Sequence, residues 1–352
     1  MHRNNVLRTI TAVGFALLAS SHAAAATTAF KIVTASPRGT YIQIGRDIAS
    51  LVAPAAGIEL EVLPSAGSAE NVKRLRYEAG VKLAIVQSDV YQAYLDLARR
   101  GNREATDLIR PLRVVLPLYN EEIYFVVRAD SSLNYVHEIR GQRINAGELG
   151  SVTALTTSTL YTAMFGGTLP DATTTFFSNE DALAKLIQDK SVDVVAIVAG
   201  QPAKLLTDMK PEAKQFVRLL KVDPKHATTR EALRTYFPAT VRAANYPNLL
   251  TEDLNGLSVR AFLVTYDYNV PQTRQALASL ARSLCANLAT LQSKGHPKWR
   301  EVQIATPELG RGWQYYPPTT RELRACRQPP PAKAPQPARQ CTQGERILGL
   351  CS

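Results

Sequence analysis

Cysteine and histidine are scarce, and their placement leaves little room for metal or thiol chemistry. Only four cysteines occur in 352 residues, Cys285, Cys326, Cys341 and Cys351, all in the last quarter of the chain. The five histidines are dispersed, two of them before residue 27. Neither set has the spacing of a zinc site, and no metal or other cofactor is expected. An extended block of one charge sign is also missing. Lysine and arginine (41) exceed aspartate and glutamate (30), for a formal charge of +11, but the charges are scattered. A nucleic-acid partner is therefore not expected, and a mildly basic surface suits drawing in an anionic solute. The apolar run Ile10–Leu18 is too short to span a bilayer.

What the start does hold is an address. Arg3 and Arg8 precede that apolar run, and small residues follow through Ser20 and Ala23–Ala26. This predicts a signal peptide over residues 1–26, cleaved on secretion to the periplasm; an uncleaved anchor is the alternative. No cysteine near the cleavage region invites lipid attachment. About 326 residues would remain, with the charge lowered to +9 by loss of Arg3 and Arg8, enough chain for two domains. In an oxidising compartment four cysteines admit three disulfide pairings. Cys285–Cys326 with Cys341–Cys351 is the favoured one, the second closing a short loop in the tail.

Residues 30–89 set the grammar of the chain. Phe30–Thr34 is an apolar strand breaking at Ser36-Pro37-Arg38-Gly39-Thr40, after which Ile44, Ile48, Leu51 and Val52 fall at helical spacing. Ile58–Leu63 and Leu83–Val86 are further strands, ending at Pro64–Ser68 and at Gln87-Ser88-Asp89. Strands alternating with helices predict a parallel sheet buried on both faces, with a ligand at its C-terminal edge. The three loops there offer hydroxyls, an amide and helix-start N–H groups, but no His, Cys or paired acids. Such an edge suits a carboxylate. It is equipped to hold a ligand rather than transform one, and no enzymatic activity is expected.

Leu112–Leu118 and Ile123–Val127 read as two strands joined by a solvated turn, Tyr119-Asn120-Glu121-Glu122. Neighbouring acids on extended chain point opposite ways, so Glu121 and Glu122 are not expected to form a catalytic pair. The strand–loop–helix grammar then repeats. Arg143–Ala146 leads into Gly147–Thr153, Thr173–Phe177 precedes an N-cap at Asn179, and Val192–Val198 ends at Ala199-Gly200-Gln201-Pro202. Phe216–Val222 and Leu257–Thr265 are strand-like, Pro271–Leu291 is a long amphipathic helix, and His296 reads as a loop or packing histidine. Five prolines between Arg327 and Gln340 predict a semi-extended linker.

Several of these segments together resemble the TAXI class of solute-binding receptors of TRAP transporters, over roughly Phe30 to Arg324. The carriers are Gly39-Thr40-Tyr41, Ser65-Ala66-Gly67-Ser68-Ala69-Glu70-Asn71, Leu83–Asp89, Gly147–Thr153, Val198-Ala199-Gly200, Tyr246-Pro247, Val259–Thr265 and Gly295-His296-Pro297. The resemblance implies an α/β chain of type II periplasmic-binding-protein fold, two lobes around a ligand cleft. Residues 27–118 and 220–326 would form lobe 1, 119–219 lobe 2, and 327–352 a tail, with crossings near Leu116–Ile123 and Phe216–Val222. It implies a ligand site of Ser36, Gly39, Thr40, Tyr41, Ser65, Gly67, Ser68, Gln87 and Ser88, joined by Gly150, Ser151, Thr153 and Gly200. The implied ligand is a small anionic or zwitterionic solute, a glutamate-like amino acid or organic acid, and the partner a TRAP permease. The functional unit would be a monomer. Where relatives carry a glycine-rich first loop this chain has Ser36-Pro37-Arg38, and Arg38 either forks onto a ligand carboxylate or points to solvent. The cysteine-bearing tail is foreign to the class, which opens a second reading, an orphan sensor signalling to a membrane kinase. A third is a dehydratase-like enzyme using Glu70, Asp89 or Glu148.

Overall fold

The computed structural model describes residues 27–37, 39–310 and 312–327. The expected signal peptide, Arg38, the proline-rich tail and the Cys341–Cys351 pairing lie outside the described residues.

The first lobe opens with β1 (Thr28–Val33), α1 (Thr40–Asp47, continued by a π-helical turn Ile48–Val52), β2 (Ile58–Leu63), α2 (Ser68–Tyr77) and β3 (Val81–Gln87). After α3 (Val90–Arg99) and α4 (Arg103–Ile109), β4 runs unbroken over Leu112–Arg128. The second lobe follows with β5 (Ile144–Asn145), α5 (Val152–Phe165), β6 (Thr174–Thr175), α6 (Asn179–Ile187), β7 (Val194–Ala199) and α7 (Lys204–Thr207). It continues through β8 (Val217–Leu219), α8 (Ala227–Ala232) and β9 (Phe237–Val241). β10 (Leu254–Tyr266) then leads back, and α9 (Pro271–Lys294) and α10 (Pro317–Arg327) complete the first lobe. A disulfide between Cys285 and Cys326 ties α9 to α10.

Strand order is β2-β1-β3-β10-β4-β7-β5-β6. β1, β2 and β3 are parallel, β5 is parallel to β6 and β7, and β4 and β10 lie antiparallel to each other from Leu112↔Tyr266 to Ile123↔Leu257. Two α/β lobes joined by crossing strands form the type II periplasmic-binding-protein architecture. The apolar runs explain the sheet. In the first lobe Ile32, Leu83, Ile85 and Leu263 enter one core while Val33, Ala84, Val86, Phe262 and Val264 enter the other. In the second, Phe125, Val127, Val194 and Ala196 face one side, and Tyr124, Val126, Val195 and Ile197 the opposite one. Alternation with period two, apolar on both sides, is what a strand covered by helices on both faces requires. Each such Val, Leu or Ile stabilises the fold by about 1.5–3 kcal/mol through its burial.

Three expectations are corrected. Tyr119-Asn120-Glu121-Glu122 is not a solvated turn: both acids are buried in mid-β4, because pairing with β10 continues straight through them. Residues 220–258 do not return to lobe 1. Leu220, Val222, Tyr236 and Leu257 share a core with Phe125 and Val194, so the return crossing is β10 rather than Phe216–Val222. The cap of α6 is Ser178, whose Oγ accepts from Asp181 N at 3.2 Å, one residue before Asn179.

One buried amide closes the ends of the first-lobe strands. Asn71 on α2 is inaccessible to solvent; its Nδ2 donates to Thr34 O and to Ile85 O (2.7 Å), and its Oδ1 accepts from Ser65 Oγ (2.5 Å). Asn71→Ala takes the side-chain donor from Ile85 O, leaves Thr34 O with Ser65 Oγ alone (3.1 Å), and removes the buried acceptor of the Ser65 hydroxyl. Urea unfolding should show a loss of about 2–4 kcal/mol; a change under about 0.5 kcal/mol would mean that water takes the amide's place.

Candidate functional site

The cleft between the lobes lies where the crossing strands pass from one to the other. It encloses about 750 Å³ and is walled by Ala35, Ser36 and Gly39–Tyr41 of lobe 1, and by Ser151, Val152 and Val198–Lys204 of lobe 2. The third side is the turn His296–Glu301, and Glu121 lies in the floor. A more open hollow of about 520 Å³ near α10, lined by Tyr315, Arg321 and Arg324 among others, takes nothing from the second lobe.

Two helices begin at this cleft. No side chain caps α1, whose N-terminal residues Thr40 and Tyr41 line the wall. α5 begins opposite, with Ser151 Oγ accepting from Ala154 N at 3.1 Å. Both positive helix ends thus face one space, the arrangement that favours an anionic group.

The floor follows from strand geometry. On β4, Tyr119 and Glu121 share a face and Glu122 takes the other. Glu122 accepts from Gln201 N (2.8 Å) and Gln201 Nε2 (3.1 Å), and so fixes the loop after β7. Glu121 Oε2 accepts from Tyr41 OH (3.0 Å) and Gln87 Nε2 (3.4 Å), while Gln87 Oε1 accepts from Thr156 Oγ1 of lobe 2 (3.3 Å). Burial pushes the Glu121 carboxyl up to about 7, against the opposing pull of the Tyr41 hydroxyl, the Lys298 charge and Gln87. Burial likewise raises the Tyr41 phenol, and the Glu121 charge beside it adds to the rise.

The turn on the third side is anchored by Asp47 at the end of α1. Its Oδ2 accepts from His296 N (2.7 Å) and from Nε1 of the fully buried Trp299 (2.8 Å). Gly295 is required by close approach: a Cβ there would lie 2.8 Å from Trp299 Cδ1 and 2.9 Å from the same Asp47 oxygen. This anchoring holds Lys298 inward, 6% exposed, with Nζ donating to Asn120 O (3.0 Å) and Glu301 Oε1 (2.6 Å). Gly200 makes room for it, since a Cβ there would meet Lys298 Cε at 2.3 Å. Burial lowers the His296 imidazole below its usual value, so the ring is neutral at pH 7.

Of the residues expected in the site, Ser36, Gly39, Thr40, Tyr41, Ser151 and Gly200 line the cleft together. Gln87 lies beneath Glu121 and links the lobes through Thr156. Ser65, Ser68, Ser88 and Thr153 hold backbone instead: Ser65 Oγ donates to Thr34 O (3.1 Å), and Ser68, Ser88 and Thr153 accept from Gln87 N, Arg260 N and Val198 N. Gly67 touches the other lobe, where a Cβ would stand 3.3 Å from Val152 N, and Gly150 lines a groove beside the cleft with Ser151. Among the alternative acids, Glu70 accepts from Ala66 N (2.9 Å) and pairs with Arg74, and Glu148 is exposed. Asp89 is fully buried, bonded by Tyr236 OH (3.0 Å) across the lobe boundary, and its burial raises it to about 6. Sequence reasoning missed Glu121, Lys298 and Gln201. The available signal for Glu121 was an acid in phase with Tyr119 and Ile123, between two long apolar runs.

The profile of the NMT1-like family matches residues 32–308. The chain belongs to the NMT1-like family. Solved structures of similar shape to this NMT1-like chain include a Xanthomonas citri protein bound to ATP, at 15% identity, covering 85% of this chain and 96% of that one, TM-score 0.48. Others are the periplasmic binding protein BugD (13% identity, 85% and 94% covered, TM-score 0.46) and the arginine-, lysine-, histidine-binding protein ArtJ from Geobacillus stearothermophilus (13%, 81% and 99%, 0.43). Similarity at this level fixes no ligand. Among the described residues of the NMT1-like chain no helix is long and apolar enough to cross a membrane, and no cluster of three or more His, Cys, Asp or Glu could hold a metal ion.

The raised acids make stability depend on pH in a stated direction. Glu121 and Asp89 hold their protons more tightly folded than unfolded, so folding binds protons. Their contribution is full below about pH 4 and lost as pH rises to about 7. The ligand-free protein should therefore melt higher at pH 5.5 than at pH 7.5, and Glu121→Gln should flatten that slope. A melting temperature that rises over the interval would contradict the burial of these acids.

Proposed function

We propose that the chain is an extracytoplasmic solute-binding protein that closes two lobes on a small anionic or zwitterionic solute, a glutamate-like amino acid or organic acid. In this reading it is exported to the periplasm, acts as a TAXI-type receptor and delivers the solute to a TRAP permease. The observation that carries the reading is the convergence of distant segments on one cleft. Gly39-Thr40-Tyr41, Ser151-Val152, Val198-Ala199-Gly200 and His296-Pro297 lie far apart in sequence and line the same space. Each belongs to a segment that carries the TAXI resemblance. Hinged closure buries a solute between such walls. The helix starts and Lys298 then receive its carboxylate, and a wrong solute leaves buried polar groups unpaired.

The raised Glu121 favours a second reading, an enzyme in which this carboxyl moves a proton on a bound acid. Turnover of a bound solute that disappears in Glu121→Gln would select it.

Thermal unfolding against a panel of amino acids, dicarboxylates and oxo-acids tests the binding reading. A ligand at a hundredfold excess over its Kd should add about 2.7 kcal/mol of stability. At least one compound in these classes should raise the melting temperature in a saturable way; a flat response across all three sinks the assignment.

A further inference from the structure

Both hydrogen bonds to the Glu121 carboxylate fall on one oxygen. Tyr41 OH and Gln87 Nε2 donate to Oε2, and among the described residues no donor reaches Oε1. The residue is 5% exposed, and what is exposed opens on the cleft. The groups around it leave this acceptor unmatched. Tyr41 on α1 is spent on Oε2; Tyr119 and Glu122, its neighbours on β4, bring a phenol and a second acid. Asp89, beyond β3, is an acid turned toward Tyr236. Lys298 acts on Glu121 by charge, but its Nζ donates to Asn120 O and Glu301 Oε1. His296 in the same turn is uncharged at pH 7, and Arg300 lines the cleft with no bond to Glu121. Burial of the residue disfavours its ionised form, and Oε1, open to the cleft, meets no protein donor among the described residues. A cationic N–H donor supplied by the solute offsets that penalty.

We propose that Glu121 Oε1 is the recognition point for a protonated amine of the solute, so that this residue selects zwitterions over purely anionic acids. The inference rests on the solute-binding reading and deepens it. Carboxylate and amine have separate seats: the former at the starts of α1 and α5 and near Lys298, the latter at Glu121. Tyr41 and Gln87 orient the carboxyl from below, leaving Oε1 toward the solute.

The test compares L-amino acids with the same carboxylic acids in which hydrogen replaces the amine, by calorimetric titration of the full-length mature protein and of Glu121→Gln. The wild type should prefer the amine-bearing member of a pair by at least tenfold, and Glu121→Gln should lose that preference while still binding the amine-free acid. Because the carboxyl titrates near pH 7, affinity for the amino acid should rise about tenfold between pH 6 and pH 8 and then level off. The amine-free acid should show no such gain. If Glu121→Gln does not fold, the wild-type pH profile decides alone. Equal binding of both members, or an unchanged preference in Glu121→Gln, overturns the role of Glu121 and leaves the solute-binding reading standing. Binding of neither member of any pair overturns both.

Discussion

The antiparallel pairing of β4 with β10 holds the molecule together and determines where anything can bind. Each strand serves both lobes, and their pairing runs from Leu112↔Tyr266 to Ile123↔Leu257, with register shifts between Arg260 and Phe262 and between Leu263 and Val264. A strand that spans two cores must pass the gap between them, and there its side chains face a cleft rather than helices. Glu121 lies in that gap. The residues of β4 on either side of the gap, Val114–Leu116 and Tyr124–Val127, are buried in the two cores; Glu121 can be an acid because Tyr41, Gln87 and the open cleft take the place of a hydrophobic cover.

The cleft walls depend on contacts at some remove from any solute. Asp47 binds the backbone of His296 and the indole of Trp299, which holds the turn that carries Lys298. Glu122, on the back of the same strand as Glu121, holds Gln201 and with it the loop opposite. One dipeptide thus faces the cleft with its first acid and braces the second lobe's wall with the other. Buried acids whose pKa values rise on folding lower the stability of the empty protein near neutral pH. Local features that oppose folding, kept in a cleft, are what a site under selection for binding retains.

Much of the fold was legible because apolar runs covered on both faces leave little ambiguity. Ile58–Leu63 matches β2 residue for residue, and the run around Leu83–Val86 is β3 extended at each end. The failures have physical causes. Glu121-Glu122 looks like a turn because the burial of a charged pair depends on Tyr41 and Gln201, which no local pattern reveals. Residues 220–258 were placed in the wrong lobe because sequence order does not say on which side of the crossing strands a segment settles. Lys298 looks like an ordinary loop lysine; its inward course depends on a carbonyl 178 residues away and on the missing side chain of Gly200. The helix-start residues of the site, Thr40, Tyr41 and Ser151, were legible because a Ser, Gly or Thr loop between strand and helix has few other structural meanings. Several hydroxyls beneath them, Ser68 and Thr153 among them, proved to hold backbone.

The most direct measurement is a crystal structure of the protein with a solute that raises its melting temperature. The account predicts density between Tyr41 and Gly200, with a carboxylate at the starts of α1 and α5 and both lobes in contact with the solute. Density confined to one lobe, or to the hollow beside α10, would contradict capture between the lobes.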